Sequence, residues 1–369
     1  MIRLSALIEQ FKEPLLAQYG DRLQPEQRQA LAAMKSCRSA LSPRMQAHCP
    51  ACQAQVFVPH SCGHRLCPHC QHHESQQWLE RQLKTLVPGP YFLLTFTLPA
   101  EFRALALVHP RTLLGLLMQC AWQTLLTFSR NDQQLQGTPG IVAVLHTHSR
   151  RLDYHPHVHC VMPAAAIDTE QRLWRTKIGR RSSRYLFNHK ALAKVFRGKL
   201  LAAITEAGLT LPKRQPQKWV VDCKHVGSGE KALVYLGRYL YRGVLQEKDI
   251  LACENGQVTF RYRNSKTRRT ETRTLPGATF LWLLLQHVLP KGFRRARNFG
   301  FLHPNSKRLI QLLHLLLKLD PGRFLAWVKK RPPLLCPCCG GPMTIVRTRL
   351  RPPFPRHEPS GALEDALAM

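Results

Sequence analysis

Apolar positions along the chain alternate between two periods, and their order predicts most of its elements. Leu4, Leu7, Ile8 and Phe11 recur at helical spacing, and with the break near Gly20 they predict two amphipathic helices within residues 1 to 36. Trp78 to Leu86 resumes the helical period, and Pro88-Gly89-Pro90 marks the end of a first domain. Tyr91 to Leu98, apolar and aromatic with Thr interspersed and closed by Pro99, reads as a strand. Arg111 to Phe128 reads as a helix. Beyond Gly137-Thr138-Pro139-Gly140, the runs Ile141 to His148 and Pro156 to Pro163 read as strands joined by the polar loop Ser149 to Asp153, which suggests an antiparallel hairpin.

The second half continues in the same alternation. Tyr185 to Ala207 is predicted helical, Trp219 to His225 extended and Glu230 to Arg242 helical. Gln257 to Tyr262 and Thr270 to Leu275 flank a basic turn and suggest another hairpin, and from Ala278 to Pro332-Pro333 the pattern is mainly helical. A short Cys cluster and a polar, proline-rich tail expected to be disordered follow. Strands interrupted by helices, with at least two hairpins, predict an α+β protein in place of a doubly wound parallel sheet. The expected division is a first domain over 1–90, a second over 91–315 and a C-terminal helical and Cys-knuckle extension over 316–369.

Charge narrows the class of partner. The 369 residues carry 54 Lys+Arg against 22 Asp+Glu, a formal charge of +32. Such an excess favours a polyanion, because Lys and Arg displace counterions from phosphates. The most apolar later stretches, Phe280 to Leu285 and Leu312 to Leu317, are far shorter than the ~20 residues of a membrane span, and charge interrupts the N-terminus too early for a signal peptide. A soluble, cytoplasmic, nucleoid-associated protein is expected, with no membrane partner and no nucleotide cofactor.

Thirteen cysteines, an odd number, with C-x-x-C spacing fit zinc thiolates better than a disulfide framework. Cys49-Pro50-Ala51-Cys52 and Cys67-Pro68-His69-Cys70 are two such knuckles, and together they supply the tetrahedral set of a structural Zn2+. Cys37, Cys62 and nearby histidines exceed what one ion needs. Cys336 and Cys339 have the same spacing with no further Cys after them, so that knuckle is half of a site completed elsewhere or a remnant. The cysteine-rich region would present Arg38, Arg44 and Arg65 to DNA.

Tyr154-His155-Pro156-His157-Val158-His159-Cys160 places two histidines two residues apart. In a strand His157 and His159 share a face and can chelate one ion, and the partner strand carries His146 and His148 at the same interval. His146 is expected as third ligand ahead of His148. Imidazoles suit manganese, iron or zinc better than magnesium, although substrate phosphate can complete a magnesium shell. On the helix that follows, Tyr235 and Tyr239 are i and i+4 on one face, with Arg238 nearby and Arg242 back on that face. Phenols titrate near pH 10, so cations and a metal-polarised phosphate would have to assist them as nucleophiles. An aromatic core stripe is the bland alternative, and the neighbouring histidines weigh against it.

Read in order, Cys37-Arg38-Ser39-Ala40, Cys49-Pro50-Ala51-Cys52, Ser61-Cys62-Gly63-His64-Arg65-Leu66-Cys67-Pro68-His69-Cys70, Thr95-Phe96-Thr97-Leu98-Pro99, Leu145-His146-Thr147, His155-Pro156-His157-Val158-His159, Tyr235-Leu236-Gly237-Arg238-Tyr239 and Pro290-Lys291-Gly292-Phe293 resemble the IS91-type transposases of the HUH endonuclease superfamily. The resemblance covers roughly residues 30 to 305. It implies a zinc-binding N-terminal domain joined to an HUH domain, an antiparallel sheet flanked by helices. It also implies His157 and His159 as paired ligands of a catalytic Mg2+ or Mn2+, and Tyr235 and Tyr239 as the nucleophiles of a two-tyrosine, rolling-circle mechanism on single-stranded DNA. A replication initiator or relaxase would share that chemistry, and a non-catalytic zinc-containing DNA-binding protein would share only the charge and the cysteines.

Overall fold

A computed structural model describes residues 2–39, 42–177, 185–241, 243–264, 267–328 and 333–350; Arg242 and the C-terminal tail lie outside them, as do the side chains of Arg238, Tyr239, Tyr241 and Trp327. In chain order the elements are α1 (Leu4–Tyr19), α2 (Pro25–Ser36), β1 (Arg44–His48), β2 (Gln55–Pro59), α3 (His72–Leu83), β3 (Tyr91–Thr97), α4 (Arg103–Val108), α5 (Pro110–Arg130), β4 (Thr138–His148), β5 (Tyr154–Pro163), β6 (Ala165–Asp168) and β7 (Leu173–Thr176). They continue with α6 (His189–Glu206), β8 (Val221–His225), α7 (Glu230–Tyr241), β9 (Ile250–Glu254), β10 (Gln257–Arg263), β11 (Thr270–Pro276), α8 (Gly277–Leu285), β12 (Ala296–Gly300), α9 (Lys307–Leu316), β13 (Leu334–Leu335) and β14 (Pro342–Leu350). The fold is α+β.

Two compact units emerge, one of residues 1–35 with 63–331 and one of 36–62 with 332–369. They differ from the three consecutive segments expected from the sequence. The smaller unit takes strands from both ends of the chain, in the sheet order β13-β14-β1-β2, because β14 pairs antiparallel with β1. Each of its hairpins, β1-β2 and β13-β14, is joined by a C-x-x-C turn.

The larger unit is built on an antiparallel sheet with the order β7-β6-β4-β5-β3-β8, and β12 pairs with β4. Strand alternation sends Leu94, Phe96, Val158 and Cys160 to one face, where they bury with Leu113, Leu117, Phe196 and Leu200 of α5 and α6. Val142, Val144 and Val161 point the other way and bury with Trp78 and Leu79 of α3 and Leu233, Leu236 and Leu240 of α7. Helices thus cover both faces. Helix α6 begins at His189, later than the expected Tyr185, because Asn188 Oδ1 accepts hydrogen bonds from the backbone N–H of Lys190 at 2.9 Å and of Ala191 at 3.2 Å.

Strand β12 interrupts the region expected to be mainly helical. Its residues are all half-buried with no alternation to read, and it forms by pairing Ala296 to Gly300 against Val144 to Gly140, with Phe299 stacked on Trp122 at 5.3 Å. Gly300 makes this possible: its φ is +61°, and an added Cβ would sit 1.6 Å from the Pro139 carbonyl oxygen. Gly300→Ala is therefore expected to destabilise the protein by at least about 2 kcal/mol in denaturant unfolding. Gly198→Ala, on α6 with open space around it, should be neutral or stabilise by up to about 1 kcal/mol. Equal effects would contradict the β12 pairing.

Candidate active site

The β4-β5 hairpin sets the geometry. Its register places His146 opposite His157 and Val144 opposite His159, while β3 on the other side places Thr95 opposite His159 and Thr97 opposite His157. Paired residues in an antiparallel ladder share a face, so all three histidines lie on one side of the sheet. Their ligating nitrogens fall within 4.8 Å of one another, and the ring centroids are 4.6 to 5.2 Å apart. The three residues named from the sequence are brought together. His148 is not among them: a register irregularity separates it from His146, and its ring packs on His287 at 5.5 Å.

Hydrogen bonds orient two of the rings. His157 Nδ1 donates to the His155 carbonyl at 2.7 Å, and His159 Nδ1 bonds Thr95 Oγ1 at 2.9 Å. Each ring thereby presents Nε2 to the cluster, the arrangement in which an outer partner fixes the tautomer of a ligating imidazole. His155 itself accepts a hydrogen bond from Arg103 Nη2 at 2.7 Å through Nδ1 and is not among the three convergent rings. Arg103 did not stand out in the sequence, and Thr95 entered only as part of the Thr95-Phe96-Thr97-Leu98-Pro99 segment, with no role assigned to it.

Burial controls the protonation of these rings. It lowers His157 to about 4 and His159 to about 3, and it holds His146 well below the ordinary histidine value, with the neighbouring imidazoles adding to the effect. At neutral pH the rings are uncharged and their lone pairs are available. Three imidazoles on one face are a donor set that suits a divalent ion with open positions for oxygen ligands.

Helix α7 lies over this face. Its buried Leu233, Leu236 and Leu240 hold it down, and Gly237 lets it approach α3 closely, since an added Cβ would meet the Trp78 ring at 3.3 Å. Ser75 Oγ donates to the Gly237 carbonyl at 3.1 Å, so the glycine that weakens the helix pattern serves its packing. Tyr235 is 38% exposed, and its ring meets that of His159 edge-on at a centroid distance of 6.5 Å. Tyr239 lies one turn further along the same helix, about 6 Å along its axis. The side chains of Tyr239 and Arg238, and all of Arg242, lie outside the described residues.

The cysteine set named from the sequence requires correction. Cys49 and Cys52 share a cluster with Cys336 and Cys339 in the smaller unit, whereas Cys67 and Cys70 belong to the larger one. The four sulfurs lie within 4.8 Å of one another, with Cys49–Cys339 and Cys52–Cys336 each at 3.5 Å. A tetrahedral ion with Zn–S bonds of about 2.3 Å requires sulfurs roughly 3.8 Å apart, so this set fits zinc. The backbone N–H of Cys52 draws the Cys49 thiol down to about 6 and that of Cys339 lowers Cys336, while the neighbouring sulfurs push Cys52 and Cys339 up, so without an ion two of the four thiols readily ionise and hydrogen-bond to the other two. Spacing identified the knuckles but could not pair them across the length of the chain. Arg65, expected to face DNA, is exposed and donates through Nη1 to the Phe293 carbonyl at 2.7 Å.

Comparison with known proteins bears on this arrangement. Residues 7–98 match the family model "Transposase zinc-binding domain" and residues 140–309 the family model "Putative transposase". A curated relative, "Putative transposase y4qJ" of Sinorhizobium fredii, is 32% identical over 316 residues, covering 80% of this chain and 79% of that protein. The chain belongs to the IS91-type transposase family. A further relative, "Transposase for insertion sequence element IS801" of Pseudomonas savastanoi pv. phaseolicola, is 30% identical over 275 residues, 68% of this chain and 64% of that one. Among solved structures, the metal-bound conjugative relaxase TrwC in complex with oriT DNA is 16% identical over 63% of this chain and 73% of that one, with a TM-score of 0.28, too distant to bear on the site. Cys336 and Cys339 of this transposase lie beyond the residues matched to the zinc-binding model. No described helix is long and apolar enough to cross a membrane.

The neutral histidines lead to a pH dependence that separates them from solvent-exposed ones. Protonation competes with metal only near or below pH 4, so Mn2+ affinity, read by loss of the free-ion EPR signal, is expected to change less than about threefold between pH 7.5 and 6. Three ordinary histidines would lose about 50-fold over that range. A loss of that size would contradict the buried, neutral set.

Proposed function

We propose that this transposase nicks and rejoins single-stranded DNA at the ends of its element through a 5′-phosphotyrosine, in rolling-circle transposition on an HUH domain. The observation that carries this reading is the edge contact of Tyr235 with His159, which puts a reachable phenol beside three neutral, convergent imidazoles. His146, His157 and His159 would hold a divalent ion, Mg2+ or Mn2+, which when bound polarises the scissile phosphate. Tyr235 Oη attacks phosphorus, forming a P–O bond to the tyrosine as the bond to the 3′ oxygen breaks. The phenol proton is lost and the leaving oxygen gains one, giving a free 3′-OH. The energy of the phosphodiester stays in the covalent link, so rejoining needs no nucleotide cofactor. Tyr239 supplies a second phenol one turn away for the partner strand. Arg238, Arg242 and Arg65 are assigned to phosphate contacts.

The smaller unit is proposed as a structural zinc ribbon, with Cys49, Cys52, Cys336 and Cys339 as its thiolates. Cys67 and Cys70 retain the same spacing for a second structural zinc, and Cys62 is the nearest preceding thiol along the chain.

Single-stranded oligonucleotides tiling the borders of the element test the chemistry. With Mn2+ the protein should yield a covalent adduct that survives denaturation. Combining Tyr235→Phe with Tyr239→Phe should abolish it, and His157→Ala should lower the cleavage rate at least about 100-fold while changing DNA affinity by less than about threefold. An adduct formed undiminished by the double variant would end this reading. For zinc, Cys336→Ser should lower the bound zinc, measured by elemental analysis, by one ion per chain and unfold the smaller unit; unchanged zinc content would exclude the ribbon.

A further inference from the structure

The basic turn between β10 and β11 plays no part in the chemistry above, and its surroundings give it a partner. The ribbon register pairs Gln257 with Pro276, Thr259 with Thr274, Arg261 with Thr272 and Arg263 with Thr270. These residues form one outward face of hydroxyls, amide and guanidinium, while the alternate Val258 and Phe260 are buried, the latter against Phe280 of α8 at 5.8 Å. Arg268 and Arg269 at the turn are exposed.

Charge at the turn end of this ribbon has no acidic counterpart among the described residues. Glu271 is the single acid between Gln257 and Pro276, and it accepts from Tyr262 Oη at 2.8 Å, Asn264 Nδ2 at 2.8 Å and Thr267 Oγ1 at 3.0 Å. It shapes the turn and pairs with none of the arginines. Arg261 bonds Asp249 at 2.9 Å, but among the described residues Arg263, Arg268 and Arg269 form no ion pair.

A basic hairpin alone is usually a solvated face, and here a second observation ties it to the histidines. Arg273 Nη1 donates to Asp153 Oδ1 at 2.8 Å and to the Arg151 carbonyl, Arg150 Nη1 donates to the Arg263 carbonyl at 3.4 Å, and the Arg151 guanidinium lies 5.8 Å over the Tyr262 ring. These contacts fasten the middle of the ribbon and the strand ends beside its turn to the turn of the β4-β5 hairpin, and leave the outward face clear. From Asp153 the strand reaches His157 in four residues, about 13 Å, less than half a turn of B-DNA.

We propose that the β10-β11 ribbon is a duplex-DNA arm, laid in the major groove of a double-stranded segment directly beside the strand that the tyrosines cut. A two-stranded ribbon fits that groove, which in an RNA duplex is too narrow to enter. Single-strand binding uses aromatic platforms for base stacking, and the outward face has none, since Tyr262 points inward to Glu271. The arm rests on the reading of the site as a DNA-nicking centre and adds to it the form of the substrate, a single strand bordered by duplex.

The full-length protein and a variant carrying Arg263→Gln, Arg268→Gln and Arg269→Gln test this by fluorescence anisotropy. The probe is a border oligonucleotide, either bare or annealed so that a duplex arm adjoins the single strand. The unaltered chain should bind the armed probe at least about tenfold tighter than the bare one, and the variant should lose that advantage together with about 2 to 3 from the slope of log Kd against log salt. Adduct yield on the bare strand should stay within about twofold. Equal losses on both probes, no loss on the armed probe, or equal affinity for an arm of RNA duplex would each overturn the arm. Anisotropy does not depend on the covalent step, so a chain that forms no adduct would overturn the nicking reading while the affinities still judge the ribbon.

Discussion

The antiparallel pairing of β4 with β5 is the constraint on which the site depends. With His146 opposite His157 and Val144 opposite His159, alternation alone delivers three imidazoles to one face and the apolar residues between them to the other. A slip of one residue would send His157 and His159 into the core that Val158 and Cys160 now fill. The hydrophobic packing that stabilises the sheet therefore also aims the three imidazoles at one another. The burial that comes with it keeps them neutral, which converts a folding force into a readiness for metal.

The same face accounts for the placement of the tyrosine. Val142, Val144 and Val161 continue the histidine face as an apolar patch, and α7 covers that patch with Leu233, Leu236 and Leu240. Tyr235 sits at the edge of the covered area, where the apolar surface gives way to the imidazoles. The approach of α7 to α3 at Gly237 holds it there. Tyr235 and the three histidines are thus fixed by one packing arrangement, and the β10-β11 ribbon is referenced to the same hairpin through Arg273 and Asp153.

Much of this was legible in the residues. Period-two spacing put His157 and His159 on one face, and the predicted hairpin brought the β4 histidines near. Choosing between His146 and His148 depended on a register irregularity with no local signature. The cysteine spacing identified each knuckle, but which knuckles meet depends on β14 pairing with β1 from the far end of the chain, a contact that no local pattern encodes. Strand β12 was missed for a similar reason: half-buried on both sides, Ala296 to Gly300 carry no alternation, and an edge of β4 with room for Gly300 creates the strand.

The central claim is that α7 carries the nucleophile over the histidine face. Trypsin separates its phenols, since cleavage after Lys231, Arg238 and Arg242 leaves Tyr235 alone in Ala232 to Arg238 and places Tyr239 with Tyr241 in the next peptide. Mass spectrometry of the digested adduct, trimmed with nuclease, should find the nucleotide on the peptide that contains Tyr235 after a single turnover on one strand. A nucleotide attached to any residue outside α7 would contradict the account.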